Sequence, residues 1–152
     1  MTKLLNIATR SGKRKPMQLS DKAFISCQHG VGSDFRGKPG KRQVTVLDLG
    51  GWNDACEALG EILDWQTRRA NLLVEGLNLN ESAGQFILIG QSVLEITQET
   101  DPCKRMEEAQ PGLFSALNKN WRGGVCCRVI SDGEVKIGDD VKILSREEYE
   151  SK

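Results

Sequence analysis

The sequence predicts a mainly β fold, a barrel or sandwich of short strands with a few short helices. Two observations carry this. Short apolar runs recur along the chain, several of them alternating and rich in β-branched residues, and Gly, Pro, Asp or Asn stands between them. Helical periodicity is confined to a few brief stretches. The 152 residues suffice for one domain with a real core, and no repeat, low-complexity tract or long linker divides them, so residues 1–152 are read as a single domain.

Each element follows from its local pattern. "LLNIATR" (4–10) is a first strand, "SGKRKP" a turn, and "MQL" the returning chain. "AFIS" (23–26) is another short apolar run. "VGSDFRGKPGKR" (31–42) is too rich in Gly and Pro to be anything but a loop. "QVTVLDL" (43–49) alternates cleanly and is a strand. In "WNDACEALGEIL" (52–63), apolar residues at 55, 56, 59, 62 and 63 predict a short amphipathic helix. "RRANLLVEGLNL" (68–79) leads into an extended run. "QFILIG" (85–90) and "SVLEITQ" (92–98) are consecutive strands with a tight turn at Gly90-Gln91. Helical material follows in "KRMEEA" and "PGLFSALNKN", with Pro111 suited to a first turn. "GGVCCRVI" (123–130) is a strand, Asp132-Gly133 signals a tight hairpin, and "VKIGDDVKIL" closes the chain with a turn at Gly138-Asp139. Strands 43–49, 85–98 and 123–144 are expected in one closed or nearly closed barrel.

Charge and composition narrow the function. There are 21 basic and 21 acidic residues, so global electrostatics argue for neither nucleic acid nor a membrane surface. The basic stretch "TRSGKRKP" reads as a solvated hairpin tip, since no aromatics interleave with it. No apolar run approaches the roughly 20 residues of a bilayer span, and the N-terminus lacks a signal-peptide core. A cytoplasmic location and five reduced cysteines are the resulting expectations.

The cysteines differ in context. Cys27 and Cys56 sit among apolar neighbours and read as buried packing residues. Cys126 and Cys127 are adjacent in a strand and face opposite sides, one toward the core and one toward the surface or a second layer. Cys103 follows Pro102 directly, precedes a helix start and stands beside Lys104 and Arg105. Helix amides and cations both favour a thiolate there. A thiolate in that setting can attack sulfur, carry a persulfide or ligate a soft metal. Arg68 and Arg69 precede Asn71, and Arg36, Lys38, Lys41 and Arg42 surround the Gly-rich loop. Guanidinium groups match phosphate oxygens in charge and geometry. No Walker-type loop is present, and the single His29 reads as a plain hydrogen-bonding residue.

Four segments in order, "GVGSDFRGKPGKRQVTVLD", "RRANLLVEGLNL", "FILIGQSVLEITQETDPC" and "RGGVCCRVISDGEVKIGDDVKIL", resemble the MOSC domain family, the C-terminal domain of molybdenum-cofactor sulfurases. The resemblance implies a MOSC-type β-barrel with short helices in a stand-alone member. It implies a role around the molybdenum cofactor, a phosphorylated pterin dithiolene. The family cysteine falls on Cys103, as the residue that carries sulfur or meets molybdenum. The family's Arg and Asn before the central strand fall on Arg69 and Asn71, with Arg68 alongside, and its Arg before "VTVL" falls on Arg42. In the Gly-rich loop Asp34 is followed by Phe35 and Arg36, where many members have a histidine. The implied function is a sulfur carrier or cofactor-binding protein, with a cysteine desulfurase or molybdoenzyme as partner. Pyridoxal phosphate would belong to that partner alone. The alternatives are a molybdenum-dependent reductase of N-hydroxylated compounds, and a non-catalytic anion-binding or redox-sensing thiol module.

Overall fold

The computed structural model describes residues 2–101 and 104–151. The chain runs through β1 (Lys3–Thr9), β2 (Gln18–Ser20), β3 (Lys22–Ser26), β4 (Gly30–Val31) and β5 (Val44–Asp48), then α1 (Leu49–Leu59) and a 3-10 turn (Trp65–Arg68). There follow β6 (Leu72–Glu75), β7 (Phe86–Ile89), β8 (Ser92–Glu99), α2 (Lys104–Ala109) and α3 (Leu113–Leu117). The chain ends in β9 (Val125–Ser131), β10 (Gly133–Lys136), β11 (Val141–Leu144) and α4 (Arg146–Glu150). The fold is mainly β, as the alternating runs predict. The strands at 85–90 and 92–98 pair across their two-residue turn, with Ile89 opposite Ser92.

Helix α1 begins and ends earlier than the apolar spacing suggests. The Asp48 carboxylate accepts the Gly50 N–H at 3.0 Å and caps the N-terminus. Gly60 takes φ 73° and stops the helix, because its left-handed backbone returns N–H groups to the last turn. Ala55 and Cys56 are buried as expected, whereas Ile62, beyond the stop, is fully exposed.

Eight strands form one sheet in the order β11-β7-β8-β9-β5-β6-β1-β2. Most neighbours are antiparallel, but β5 and β6 run parallel and are joined through α1 and the 3-10 turn. β1, next to the β2 edge, meets the chain that leads into β11 at the other edge, where the Leu4 N–H donates to Asp139 O (2.9 Å) and the Gly138 N–H to Leu4 O (2.8 Å). The Lys3–Asp140 bridge and the Val141 N–H on Thr2 O (3.0 Å) add to this junction without forming a strand ladder, so the sheet is not a closed barrel. The expected hairpin at Asp132-Gly133 does not form. Strand β10 leaves the main sheet and pairs with β3 in a separate sheet of order β10-β3-β4. The Asp132 carboxylate accepts the Cys27 N–H at 2.7 Å, which ties the chain reversal to the end of β3 rather than to β9.

Apolar residues collect in two clusters. One fills the inside of the curved sheet with Leu4, Ile7, Val46, Leu72, Ile87, Leu94, Ile96 and Cys127 among others. The second lies between the sheet and α1–α3, built around Leu47, Trp52, Leu73, Met106, Leu113 and Leu117. Trp52 is buried and its indole N–H donates to Leu63 O at 3.0 Å, satisfying its one polar atom. The second cluster anchors α2 against the 3-10 turn and so fixes one wall of the cavity described next.

Candidate anion-binding site

The end of β1, the β1–β2 connection, the Gly-rich loop, the 3-10 turn and the start of α2 converge around a cavity of about 540 Å³. Among the described residues, nine basic side chains and two acidic ones line it, in a chain whose net charge is zero. The cations come from four places: Arg10, Lys13 and Arg14; Arg36 and Arg42; Arg68 and Arg69; Lys104 and Arg105.

Several sequence-predicted residues hold this wall together. Arg68 is buried; its Nε donates to Gly123 O at 3.0 Å and its Nη2 to Thr100 O at 2.8 Å. It therefore clamps the chain that leads out of β8 toward residue 103. The Asn71 side chain accepts from the Thr45 N–H at 3.0 Å and donates to Ala8 O at 3.2 Å, joining β5, β6 and β1. The Asp34 carboxylate accepts the Arg10 N–H at 2.9 Å and the Arg36 N–H at 3.1 Å, which pins the Gly-rich loop to the end of β1. The same loop packs so closely that a Cβ on Gly37 would collide with the His29 carbonyl. Buried Gln43, which the sequence reading passed over, donates to Cys27 O at 2.8 Å and Gly37 O at 3.0 Å and accepts from the Val129 N–H at 2.9 Å.

Two guanidinium groups are less well provided for. Arg10 is 8% exposed, and its Nη1 is buried with no hydrogen-bond partner. Arg69 donates through Nη2 to Lys15 O, but its Nε is also buried without a partner. Burial pushes the Arg10 pKa down first, then its neighbours Arg69 and Arg36, with Asp34 opposing them. Arg69 is lowered likewise, by burial and then by Arg105. Buried like charges with open donors favour a bound anion, which would offset their repulsion and fill the missing bonds.

Arg42, Arg68, Arg69, Asn71 and Asp34 thus all line one cavity. As neighbours in an extended run, Arg68 and Arg69 would point to opposite faces. They lie instead at the end of the 3-10 turn, where Arg69 takes a left-handed φ of 64°, and both reach the cavity. Pro102 and Cys103 lie outside the described residues; their neighbours Asp101 and Lys104 both line the cavity. Arg10, Lys13 and Arg14 all belong to the stretch that reads as a solvated tip, yet all three are in the lining. One signal was available, since an extended run over 4–10 places Arg10 on the same face as Ala8, two residues before it. Lys38 and Lys41 are exposed and outside the lining.

Among the other thiols, Cys27 departs from expectation. Cys27 is exposed, because it falls just past β3 in a turn, where its Sγ donates to Val129 O at 3.5 Å. Its pKa is raised, chiefly by the hydrogen bond with Asp132. Cys127 is in the sheet interior, and burial pushes its thiol well up. Cys126 faces the other way but is buried too, lining the cavity with its Sγ 3.4 Å from Thr100 Oγ1.

A family model described as the MOSC domain matches residues 32–142. No curated protein matches the chain by sequence. Among solved structures, the chain is similar to the YuaD protein of Bacillus subtilis, with a TM-score of 0.78 and 21% identity over 95% of this chain and 97% of that one. YiiM of Geobacillus stearothermophilus superposes with a TM-score of 0.76 at 14% identity, over 96% of this chain and 76% of that one. YiiM of Escherichia coli gives 0.71 at 15% identity, over 95% and 70%. At such identities the likeness is one of fold.

Proposed function

The chain belongs to the MOSC domain family, and from that premise we propose that its cationic cavity binds the phosphate-bearing pterin of the molybdenum cofactor and that Cys103 carries sulfur to or from it. The observation that carries this reading is the pair of buried, partnerless guanidinium nitrogens on Arg10 and Arg69 in a cavity lined by nine cations. A phosphate offers the charge and the acceptor oxygens these groups lack. The cofactor, when bound, supplies molybdenum and dithiolene sulfur chemistry; the chain's own part is to hold and orient it.

In this reading Arg10, Arg36 and Arg69 take the phosphate, while Asn71 and Asp34 keep the strands and loop that carry those arginines in register. Arg68 holds Thr100 and Gly123, and thereby the approach to Cys103. Sulfur loading requires no net redox change. The Cys103 thiolate attacks the outer sulfur of a donor persulfide, such as that on a cysteine desulfurase. The donor's S–S bond breaks, its thiolate leaves, and Cys103 keeps the sulfur as a persulfide. That Asp101 and Lys104 line the cavity supports a role for the thiol between them in sequence.

Two measurements test this together. Calorimetry with inorganic phosphate should show binding that Arg69→Ala weakens by about tenfold or more, as expected for one charge-assisted hydrogen bond of roughly 1.5–3 kcal/mol. Intact-mass analysis after incubation with a cysteine desulfurase and free cysteine should show one reductant-labile sulfur, absent in Cys103→Ser. Phosphate binding without any persulfide on Cys103 would refute the sulfur carrier and leave a non-catalytic anion-binding module.

A further inference from the structure

The β1–β2 connection is held to the rest of the chain more weakly than anything else around the cavity. Pairing of the two strands stops at Thr9 opposite Gln18. The near end of the connection is pinned where the Arg10 N–H donates to the Asp34 carboxylate (2.9 Å) and the Phe35 N–H to Arg10 O (2.8 Å). Between these anchors residues 11–17 read "SGKRKPM", with three cations and no acid. None of these residues is buried, and none belongs to either apolar cluster. Lys13 and Arg14 are exposed and yet line the cavity, so the segment has water on one side and the cavity on the other. Among the described residues one side chain reaches across to it: Arg69, whose Nη2 donates to Lys15 O.

We infer that residues 11–17 are a lid operated by the bound anion. An anion held between Arg10, Arg69 and the lid's own Lys13 and Arg14 keeps the segment seated, and an empty cavity releases it. This rests on the phosphate-binding reading above and adds to it a gate on the ligand's entry and exit.

Three features of the seated segment carry the inference. Its charge opposes closure, because Lys13 and Arg14 are brought to a cavity already lined by seven other cations against Asp34 and Asp101. No ion pair among the described residues involves the segment, so nothing but a ligand answers that repulsion. Its backbone also opposes closure. Arg14 takes a φ of 64°, a left-handed form disfavoured for a residue with a side chain. Within the segment only the Lys15 N–H on Gly12 O, at 3.2 Å, supports the turn. A stretch with no buried apolar contact and exposed backbone opens at little cost.

The third feature is Arg69, which joins lid and ligand in one rigid group. Its Nη2 holds Lys15 O, while its Nε is buried without a partner. The guanidinium is planar, so an anion oxygen on Nε fixes the direction in which Nη2 points. Arg69 is thus a positioning residue for the lid as well as a ligand for the anion. Lys13 and Arg14 meet the anion only when the segment is seated. The anion's affinity therefore differs between the two states, which is what a ligand-driven shift requires.

Limited trypsin digestion of the full chain, with the cuts mapped by mass, reads the lid directly. Trypsin cuts after Lys13 and Arg14, whereas the Lys15–Pro16 bond resists it. Such cutting follows the population in which the segment is released. In a chloride buffer these cuts should come first. Saturating inorganic phosphate at matched ionic strength should slow them by about tenfold or more. The cut after Lys119, exposed in a turn outside the cavity lining, should keep its rate. Arg69→Gln, digested at a phosphate concentration that saturates it in calorimetry, should lose most of the protection; full protection would overturn its part in the lid. Phosphate that binds in calorimetry without slowing the cuts at Lys13 and Arg14 would overturn the lid and leave the anion site standing. Equal slowing at Lys119 would overturn it too, as general stabilisation. No phosphate binding would overturn both the lid and the reading it rests on. The comparisons on the unmodified protein decide each point even where Arg69→Gln fails to fold.

Discussion

Replacing Arg10 by methionine should stabilise the ligand-free protein and abolish its response to phosphate. Arg10 is 8% exposed, its Nη1 has no partner, and its near neighbours include Arg69, Arg36 and Arg105 against the single Asp34. A buried polar group left without a partner costs about 1–3 kcal/mol, and a charged one more. Methionine keeps an unbranched apolar stem in the same space, so little packing is lost. The variant should therefore gain about 1–3 kcal/mol in a chloride buffer free of multivalent anions, which in a chain of this size raises Tm by about 2–10 °C. Phosphate should reverse the order. A ligand at 100 times its Kd adds about 2.7 kcal/mol to the wild type, and the variant should gain almost none of it. Urea unfolding of both proteins, in chloride and in phosphate, measures all four stabilities. If Arg10→Met is less stable than wild type in chloride by about 1 kcal/mol or more, Arg10 is a structural cation and the reasoning fails.

Three further outcomes follow from single side chains. Arg68→Met removes buried donors from Thr100 O and Gly123 O and should cost about 2–5 kcal/mol in urea unfolding; a loss under about 0.5 kcal/mol would show that it is no clamp. Gly37→Ala should lower Tm sharply because its Cβ meets the His29 carbonyl, while Gly12→Ala, which meets only the flexible Lys15 side chain, should stay within about 0.5 kcal/mol of wild type. The Glu95 carboxylate is held below its ordinary range, first by the Arg128 hydrogen bond and further by Arg146, against the opposing effect of burial. A depressed folded pKa gives stability that is present above the unfolded carboxylate value of about 4.3 and lost as pH falls through the folded one. Glu95→Gln should thus cost about 0.5–1 kcal/mol at pH 7, since both arginine partners are half exposed and screened by water, and progressively less below about pH 4; an unchanged penalty in acid would place the effect in packing rather than charge.

The amino-acid sequence by itself determined the elements whose cause is local. The alternation at 43–49 and 85–98, the two-residue turn at Gly90-Gln91 and the 3.6-residue spacing around Ala55 and Cys56 each lie within a few neighbouring residues, and each appears in the structure. The ordered motifs also marked the family and picked out Arg42, Arg69 and Asn71. Tertiary structure alone decided the long-range pairings and the surroundings of the charges. Strand β10 abandons the hairpin its Asp-Gly turn advertises because β3, more than 100 residues earlier, offers it a partner, with Asp132 bonded to the Cys27 N–H. The parallel β5–β6 pair depends on a crossover through α1. Above all, a cation looks the same in sequence whether water or protein surrounds it. Arg10 and Arg14 sit in a stretch that reads as a solvated tip, and only the docking of that tip against the 3-10 turn and α2 brings them beside Arg69 and Arg105. Desolvation and mutual repulsion arise from that meeting of distant segments, so the site's character was written in no single stretch of the chain.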